Sequence, residues 1–350
     1  MDGMTKTDRP TKEQWRRLFE LARDFKAEKP WKFLSDCDIF GLKLPWRDET
    51  LYPLVMGNAG EFYGLCVYRG AKGLFNYFLA RSDEINVNDP VFLASYDNLM
   101  LSFLERDLLR KEEIALMRSM GISFRGKQGW PQFRRMRHLR LDGMITAEEA
   151  DILIDVIPRV IMAAKSLQVN KEALDLFDRI PGPVFEEIGP QNWYFVPLSS
   201  PEEDVDFFPD EDFPEEGVRR IKKLHRRAKS LQVGWRGLPA FLGEETGDPF
   251  QMVGALIVDA ETGRILAFRT LSGESLREIS EAFREKFVEM LEEIGAYPGR
   301  LEVHGQWPFK LFEPLGKKLG IKVSKHENLP ELQDAFDYLD EVVSRDLRKS

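Results

Sequence analysis

The sequence is poor in the residues that most often carry reaction chemistry. Among 350 residues there are two cysteines, Cys37 and Cys66, and four histidines, His138, His225, His304 and His326. Two cysteines make neither a disulfide framework nor a four-thiolate zinc site. Both lie in apolar surroundings, DCDIF and GLCVY, and read as buried free thiols. The histidines are scattered and none has a partner at metal-ligand spacing, so no metal site is expected. There is no GxxxxGK followed by Ser or Thr, no GxSxG and no GxGxxG after a strand, which removes the P-loop, the nucleophile elbow and the dinucleotide fingerprint. No cofactor is expected. The glycines of MGNAGEFYG (Met56–Gly64) fit a hairpin better than a phosphate loop, because strand-like alternation flanks them on both sides. No apolar run approaches the roughly 18 residues of a membrane helix. The polar start MDGMTKTDRPTKEQ lacks the apolar core of a secretory signal. The expectation is a cytoplasmic protein with no membrane contact.

What is present is enough apolar material for about two domains. The hydrophobic fraction is 43%, with 25 Phe and 7 Trp. A net charge of -9 argues against a surface that coats nucleic acid along its whole length, and leaves room for a local basic site.

Along the chain, Trp15, Leu18, Phe19, Ala22 and Phe25 recur at helical spacing, and Thr11 suits the N-cap of a helix over 13–28. FGLKL (40–44) alternates as a short strand. LYPLVM (51–56) and EFYGLCVY (61–68) form a hairpin. Gly70-Ala71-Lys72-Gly73 leads into a helix over 74–81, and LMLSF (99–103) reads as a strand. A helix over 111–120 ends at Gly121. The capping box Thr146-Ala147-Glu148-Glu149 opens an apolar helix to about 168, which Pro158 should bend or break. These elements predict an α+β domain over 13–168.

Residues 169–229 read as a linker. Seven prolines fall in 181–217, and Asn192–Leu198 is apolar enough for one strand. Nine acids and no base lie between Glu202 and Glu216, and seven bases and no acid between Arg219 and Lys229. The simplest expectation is that the two runs neutralise each other. The hexapeptide AKSLQV occurs at Ala164–Val169 and again at Ala228–Val233 with unlike flanks, so no repeat architecture follows.

From Ser230 onward the pattern predicts strands over 231–238, 252–259 and 264–271, then a helix, a strand, a helix, a strand and a last helix to 347. The four-residue turn Ala260-Glu261-Thr262-Gly263 makes the second and third strands antiparallel. That order, with LQVGWRGL, GALIVDAETGRILAFRTL and RLEVHGQW, resembles the ribonuclease-H-like fold of integrases and transposases. The resemblance implies an α/β domain with a mixed sheet over 230–347. Active members hold two Mg²⁺ ions on carboxylates converging from separate elements. Here the first-strand place falls on Gly234 or its neighbours Trp235 and Arg236, and the fourth-strand place on His304-Gly305-Gln306. Neither supplies an acid. Asp259 suits a turn, and Asp334 and Asp337 a solvated helix face. The resemblance therefore implies a catalytically empty version, with a nucleic-acid-processing enzyme as the alternative.

The strings PWKFLSDCDIFGLKLP, YPLVMGNAGEFYGLCVYRG, LMLSFLERDLL, ISFRGKQGWPQFRRM, LIVDAETGRILAF and LGIKVSKHENLPELQDAFDYL are together similar to a bacterial family of uncharacterised proteins that pairs two domains of unknown function. That likeness implies a two-domain, bacterial-type cytoplasmic protein and supplies no activity.

RGKQGWPQFRRMRHLR (125–140) holds Arg125, Lys127, Arg134, Arg135, Arg137 and Arg140 with no acid, interleaved with Trp130 and Phe133. Such a pattern can bind phosphates and stack bases. The alternative is a surface loop whose arginines pair with acids of the same chain. The function expected from the whole sequence is a non-catalytic binding or interaction protein, its partner nucleic acid or another protein.

Overall fold

The computed structural model describes residues 8–81, 88–169, 183–189, 192–197, 212–228, 230–242, 249–273 and 275–347. Helix α1 (Lys12–Glu28) opens on a reciprocal cap. Gln14 N donates to Thr11 Oγ1 at 3.2 Å, and Thr11 N donates to Gln14 Oε1 at 2.9 Å. Strands β1 (Gly41–Lys43), β2 (Leu51–Met56) and β3 (Tyr63–Arg69) follow, then helices α2 (Gly70–Arg81) and α3 (Pro90–Ser95), strand β4 (Asp97–Leu104), helix α4 (Lys111–Ser119), strand β5 (Trp130–Arg137) and helix α5 (Ala147–Val169). Strands β6 (Pro183–Gly189) and β7 (Asn192–Pro197) complete a seven-stranded sheet in the order β5-β4-β3-β2-β1-β6-β7. All its pairings are antiparallel except β1 with β6.

Alternation along the strands divides the sheet into two faces. Leu51, Val55, Leu65, Val67, Leu99, Leu101 and Phe103 join α1 and α5 in the main core. Tyr52, Leu54, Cys66 and Tyr68 face the other way, against Leu74 and Tyr77 of α2. Burial pushes the Cys66 thiol up to about 12. Cys37 is exposed, contrary to its apolar flanks. It lies between Asp36 and Asp38, and Arg81 Nη1 donates to its sulfur at 3.2 Å.

Pro158 does not break α5. A proline inside a helix removes one N–H and crowds the carbonyl four residues back. One residue on, Arg159 Nη1 donates to the Asp155 carbonyl at 2.7 Å.

The second sheet has five strands in the order β11-β10-β9-β13-β14. They are β9 (Leu231–Leu242), β10 (Phe250–Asp259), β11 (Ile265–Leu271), β13 (Arg300–His304) and β14 (Lys322–His326). β10 is antiparallel to both β9 and β11, while β9, β13 and β14 run parallel. This is the mixed sheet expected from the four-residue turn and the later helical crossovers. Asp259 works in that turn: its Oδ1 accepts from Glu261 N at 3.0 Å and Thr262 N at 2.9 Å. Helices α7 (Leu276–Ile294) and α8 (Gln306–Leu319) pack on one face through Phe283, Phe287 and Phe312. Helix α9 (Pro330–Leu347) covers the other through Leu332, Ala335 and Phe336. A short parallel pair, β8 (Arg226–Ala228) with β12 (Ala296–Pro298), leads into this sheet.

The stretch between the domains contributes to both. β6 and β7 extend the first sheet, and helix α6 (Glu215–Lys222) buries Val218 and Ile221 in the second core. The two charged runs do not neutralise each other among the described residues. Arg220 pairs with Glu292 of α7 at 2.5 Å, while Asp212 and Glu215 pair with Lys318 of α8 at 2.9 and 2.6 Å. Residues 202–211 of the acidic run lie outside the described residues.

The domains also interlock. Val91, Leu93 and Ala94 of α3, and Leu139 after β5, are buried in the second core. Gly237 N donates to the Asn88 carbonyl at 2.7 Å, and Gln251 N to the Leu139 carbonyl at 2.8 Å. Gly237 admits this approach because a Cβ there would lie 2.4 Å from Leu93 Cδ1.

Candidate functional site

Three places bear on function: the basic strand, the face of the second sheet under α9, and the end of the first sheet where β3, β4, β5 and α2 meet.

Half of the basic segment 125–140 is strand β5, with its side chains alternating across the first sheet. Arg134 is 4% exposed and lies 2.8 Å from Glu113 of α4, itself 6% exposed, and 3.4 Å from Asp142. Arg135, also 4% exposed, lies 3.8 Å from Glu149 of α5. Arg137 lies 3.7 Å from Glu149, at the half-buried strand end. Arg140 stacks on Phe250 of the second domain, 3.7 Å from the ring centroid. Arg125 and Lys127 are exposed. The structure therefore scatters the six cations over both faces of an edge strand and its flanks. The acids paired with the buried arginines are Glu113, Asp142 and Glu149.

In the second sheet, Gln232, Gly234 and Arg236 of β9 face α9. Gln232 is buried. Its Nε2 donates to Glu331 at 2.9 Å and its Oε1 accepts from Leu332 N at 3.0 Å, so it anchors the first turn of α9. That hydrogen bond holds the Glu331 carboxyl below its ordinary range. Gly234 is sealed: a Cβ there would lie 2.7 Å from Leu332 Cδ2. Arg236 reaches Asp337 at 2.8 Å and Asp340 at 3.1 Å. Trp235 points to the opposite face and stacks on Phe283 with 5.2 Å between centroids. On β13, Glu302 accepts from Ser230 Oγ at 2.9 Å. His304 and His326 are register neighbours at the carboxyl ends of two parallel strands, and the Nε2 of His304 lies 3.0 Å from the Glu327 carbonyl.

On this face Glu302, Glu331, Asp337 and Asp340 are each met by a side-chain donor or cation of the protein. The donor set does not fit a pair of Mg²⁺ ions. Among the described residues no group of three or more His, Cys, Asp or Glu is placed to hold a metal ion.

At the end of the first sheet, Arg69 closes β3 and pairs with Glu49 at 3.1 Å and with Asp97, the first residue of β4, at 3.8 Å. Asp97 stands opposite Arg137 in the β4–β5 register. Lys72 lies in the first turn of α2, and His138 follows β5. Burial lowers the Lys72 ammonium, opposed by Asp97. Burial, then the charges of Lys72, Arg140 and Arg137, push the His138 imidazole down to about 4.

Residues 15–179 match the family model described as Domain of unknown function (DUF7309), and residues 217–340 match the one described as Domain of unknown function (DUF6930). The chain carries two such domains in tandem. No curated protein matches it. The first match spans the basic strand and the Lys72–His138 cluster; the second spans the α9 face.

Sequence reasoning had no signal for Gln232 and Glu331, which are about 100 residues apart and become partners only across the α9 packing. Lys72 stood in view between two glycines, but as the start of a helix.

His138 gives a pH prediction. Its folded pKa is depressed below the ordinary value of 6.5. Its contribution is therefore fully present above about 6.5 and is lost as pH falls toward about 4, because only the unfolded chain takes up the proton in that window. Asp89, raised by burial to about 6, acts with the opposite sign and loses its contribution as pH rises through that value. Urea midpoints at pH 7 and pH 5 should fall less on acidification in His138→Asn than in the wild type.

Proposed function

We propose that the chain is a non-catalytic binding protein of a bacterial-type cytoplasm, whose second domain keeps a ribonuclease-H-like core without its reaction chemistry. Support for the core comes from the strand order β11-β10-β9-β13-β14, the single reversed direction of β10, and the placement of α7 and α8 opposite α9. The observation that carries the non-catalytic reading is the pair Gln232 and Arg236. The amide and the guanidinium occupy the carboxylates of α9 that a metal-dependent enzyme would turn toward its ions. The cytoplasmic setting agrees with the absence, among the described residues, of any helix long and apolar enough to cross a membrane. Anion binding by the basic segment stays part of the proposal through Arg125, Lys127 and Arg137, since Arg134 and Arg135 are committed to buried ion pairs.

The test is calorimetric titration with Mg²⁺ and Mn²⁺, beside nuclease assays on single- and double-stranded substrates. The expected outcome is no saturable heat and no cleavage. Cleavage by the wild type that disappears in Glu302→Ala or Glu331→Ala would overturn the reading and restore the enzyme alternative.

A further inference from the structure

Three separate segments bring four cations together on one surface of the first domain. Helix α1 supplies Arg23, the turn Arg106–Leu108 after β4 supplies Arg106, and the loop before β5 supplies Arg125 and Lys127. Two of them lie over aromatic rings. The guanidinium of Arg23 is 5.0 Å from the ring centroid of Phe124, and that of Arg106 is 5.6 Å from the ring of Trp130. Phe124 and Trp130 lie side by side, with 6.3 Å between centroids, so the four side chains form one connected group. The loop that carries Arg125 and Lys127 is pinned to the same place. Lys26 of α1 donates to the Gln128 carbonyl, Gln128 N donates to Glu105 Oε1 at 3.0 Å, and Gln128 Nε2 donates to the Glu61 carbonyl at 2.7 Å. All four cations are exposed, and among the described residues none of them forms an ion pair. Arg134, Arg135 and Arg137, in contrast, pair with acids of α4 and α5. The acids nearest in the chain are Glu105, which the loop engages, and the exposed Asp24 and Asp107. Leu108, on the same turn as Arg106, is 63% exposed, so the surface carries apolar area beside its charge.

We propose that this surface binds single-stranded nucleic acid, with Arg23, Arg106, Arg125 and Lys127 on the sugar-phosphate backbone and unpaired bases against the outer faces of Arg23 and Arg106. A guanidinium held over a ring keeps its in-plane N–H groups for phosphate oxygens and its second face for a base. The aromatic contact also orders a long side chain before the ligand arrives, which lowers the entropy lost on binding. A single strand suits the surface better than a duplex. Only unpaired bases offer their faces to the two guanidinium groups and their apolar area to Leu108. The inference deepens the anion binding proposed for the basic segment: it rests on Arg125 and Lys127 of that reading, adds Arg23 and Arg106 from outside the segment, and leaves out Arg137.

The experiment is fluorescence anisotropy of the full chain with a labelled single strand of about 16 nucleotides and with the corresponding duplex, each at low and at physiological salt. The single strand is expected to bind more tightly, with a log–log salt slope of about -3 for four phosphate contacts. Arg23→Gln combined with Arg106→Gln should weaken binding by about tenfold or more and bring the slope to about -1.5. Both side chains are exposed, so the thermal midpoint of that variant should stay close to that of the wild type. Asp107→Asn removes an acid from the turn and leaves every cation in place; it should tighten binding, and less so at high salt. The proposal is overturned if the double variant binds as the wild type does, or if the duplex binds more tightly than the single strand. It is overturned also if polyglutamate displaces the labelled strand as well as unlabelled strand does, which would assign the surface to an acidic protein. Loss of binding in Arg137→Gln but not in the double variant would overturn this surface and keep anion binding at the strand end. No binding of either nucleic acid at low salt would overturn it together with anion binding by the segment, and leave the non-catalytic reading of the second domain standing.

Discussion

Replacing Glu113 by Ala should destabilise the chain by about 3–5 kcal/mol, the range for removing one partner of a buried ion pair. Arg134 would be left 2.8 Å from an empty place, with the half-buried Asp142 at 3.4 Å. Its guanidinium pKa is already lowered by burial, with Glu113 the main opposing influence. None of its three side-chain nitrogens makes a well-aligned hydrogen bond, so charge alone holds it there. The reverse change, Arg134→Met, should cost less. Glu113 keeps Arg110 N at 2.7 Å and Gln132 Nε2 at 3.1 Å as donors. The double variant Glu113→Gln with Arg134→Met should recover most of the loss, since a buried ion pair and an apolar pair of like volume are often of similar stability. Urea denaturation of the wild type, Glu113→Gln, Arg134→Met and the double variant forms the cycle. Equal losses in both single variants, with no recovery in the double, would show that the pair is not coupled.

Gln232→Glu should be of similar severity above neutral pH, on the order of 3 kcal/mol, because it sets an unpaired carboxylate in a buried position. The amide donor to Glu331 would be replaced by a second acid, with Glu302 opposite in the β9–β13 register. The new carboxyl should titrate high in the folded chain. Its contribution is then fully present below the unfolded pKa of about 4.3 and is lost as pH rises through the folded value. The variant should therefore approach the wild-type midpoint at pH 4 to 5 and fall away from it by pH 8, whereas Gln232→Met should show no such trend. A pH-independent loss in Gln232→Glu would mean that shape rather than charge decides this position.

How much was legible in the sequence can be judged from particular stretches. The second sheet was, because each strand carries its own alternation and the Asp259 turn fixes the one antiparallel hairpin. Helix α1 was, through a cap and a buried stripe that are both local. Strand β5 was not: its run of arginines has the composition of a solvated loop, and the acids that make it a buried strand lie on α4 and α5. Strand β7 was legible in Asn192–Leu198, but β6 was not: it sits among prolines, and its partners are β7 and a three-residue strand far upstream. The hexapeptide AKSLQV shows the limit most directly. At 164–169 it lies within α5, with Gln168 exposed; in the second copy Leu231, Gln232 and Val233 lie in β9, with Gln232 buried. Local propensity is the same in both, and only the surroundings differ. The α9 face was legible in what it lacks, since Gly234 and His304 can be read off the chain, but not in what fills it.

The docking of α3 has a consequence for how the molecule comes apart. A segment from the first domain supplies apolar side chains to the core of the second, so the second core is not whole without the first half of the chain. Melting should then proceed as one cooperative event in which the two halves lose structure together, in place of two separate transitions. A cut between 179 and 217 would leave Val91, Leu93 and Leu139 uncovered on one fragment and the groove that receives them open on the other.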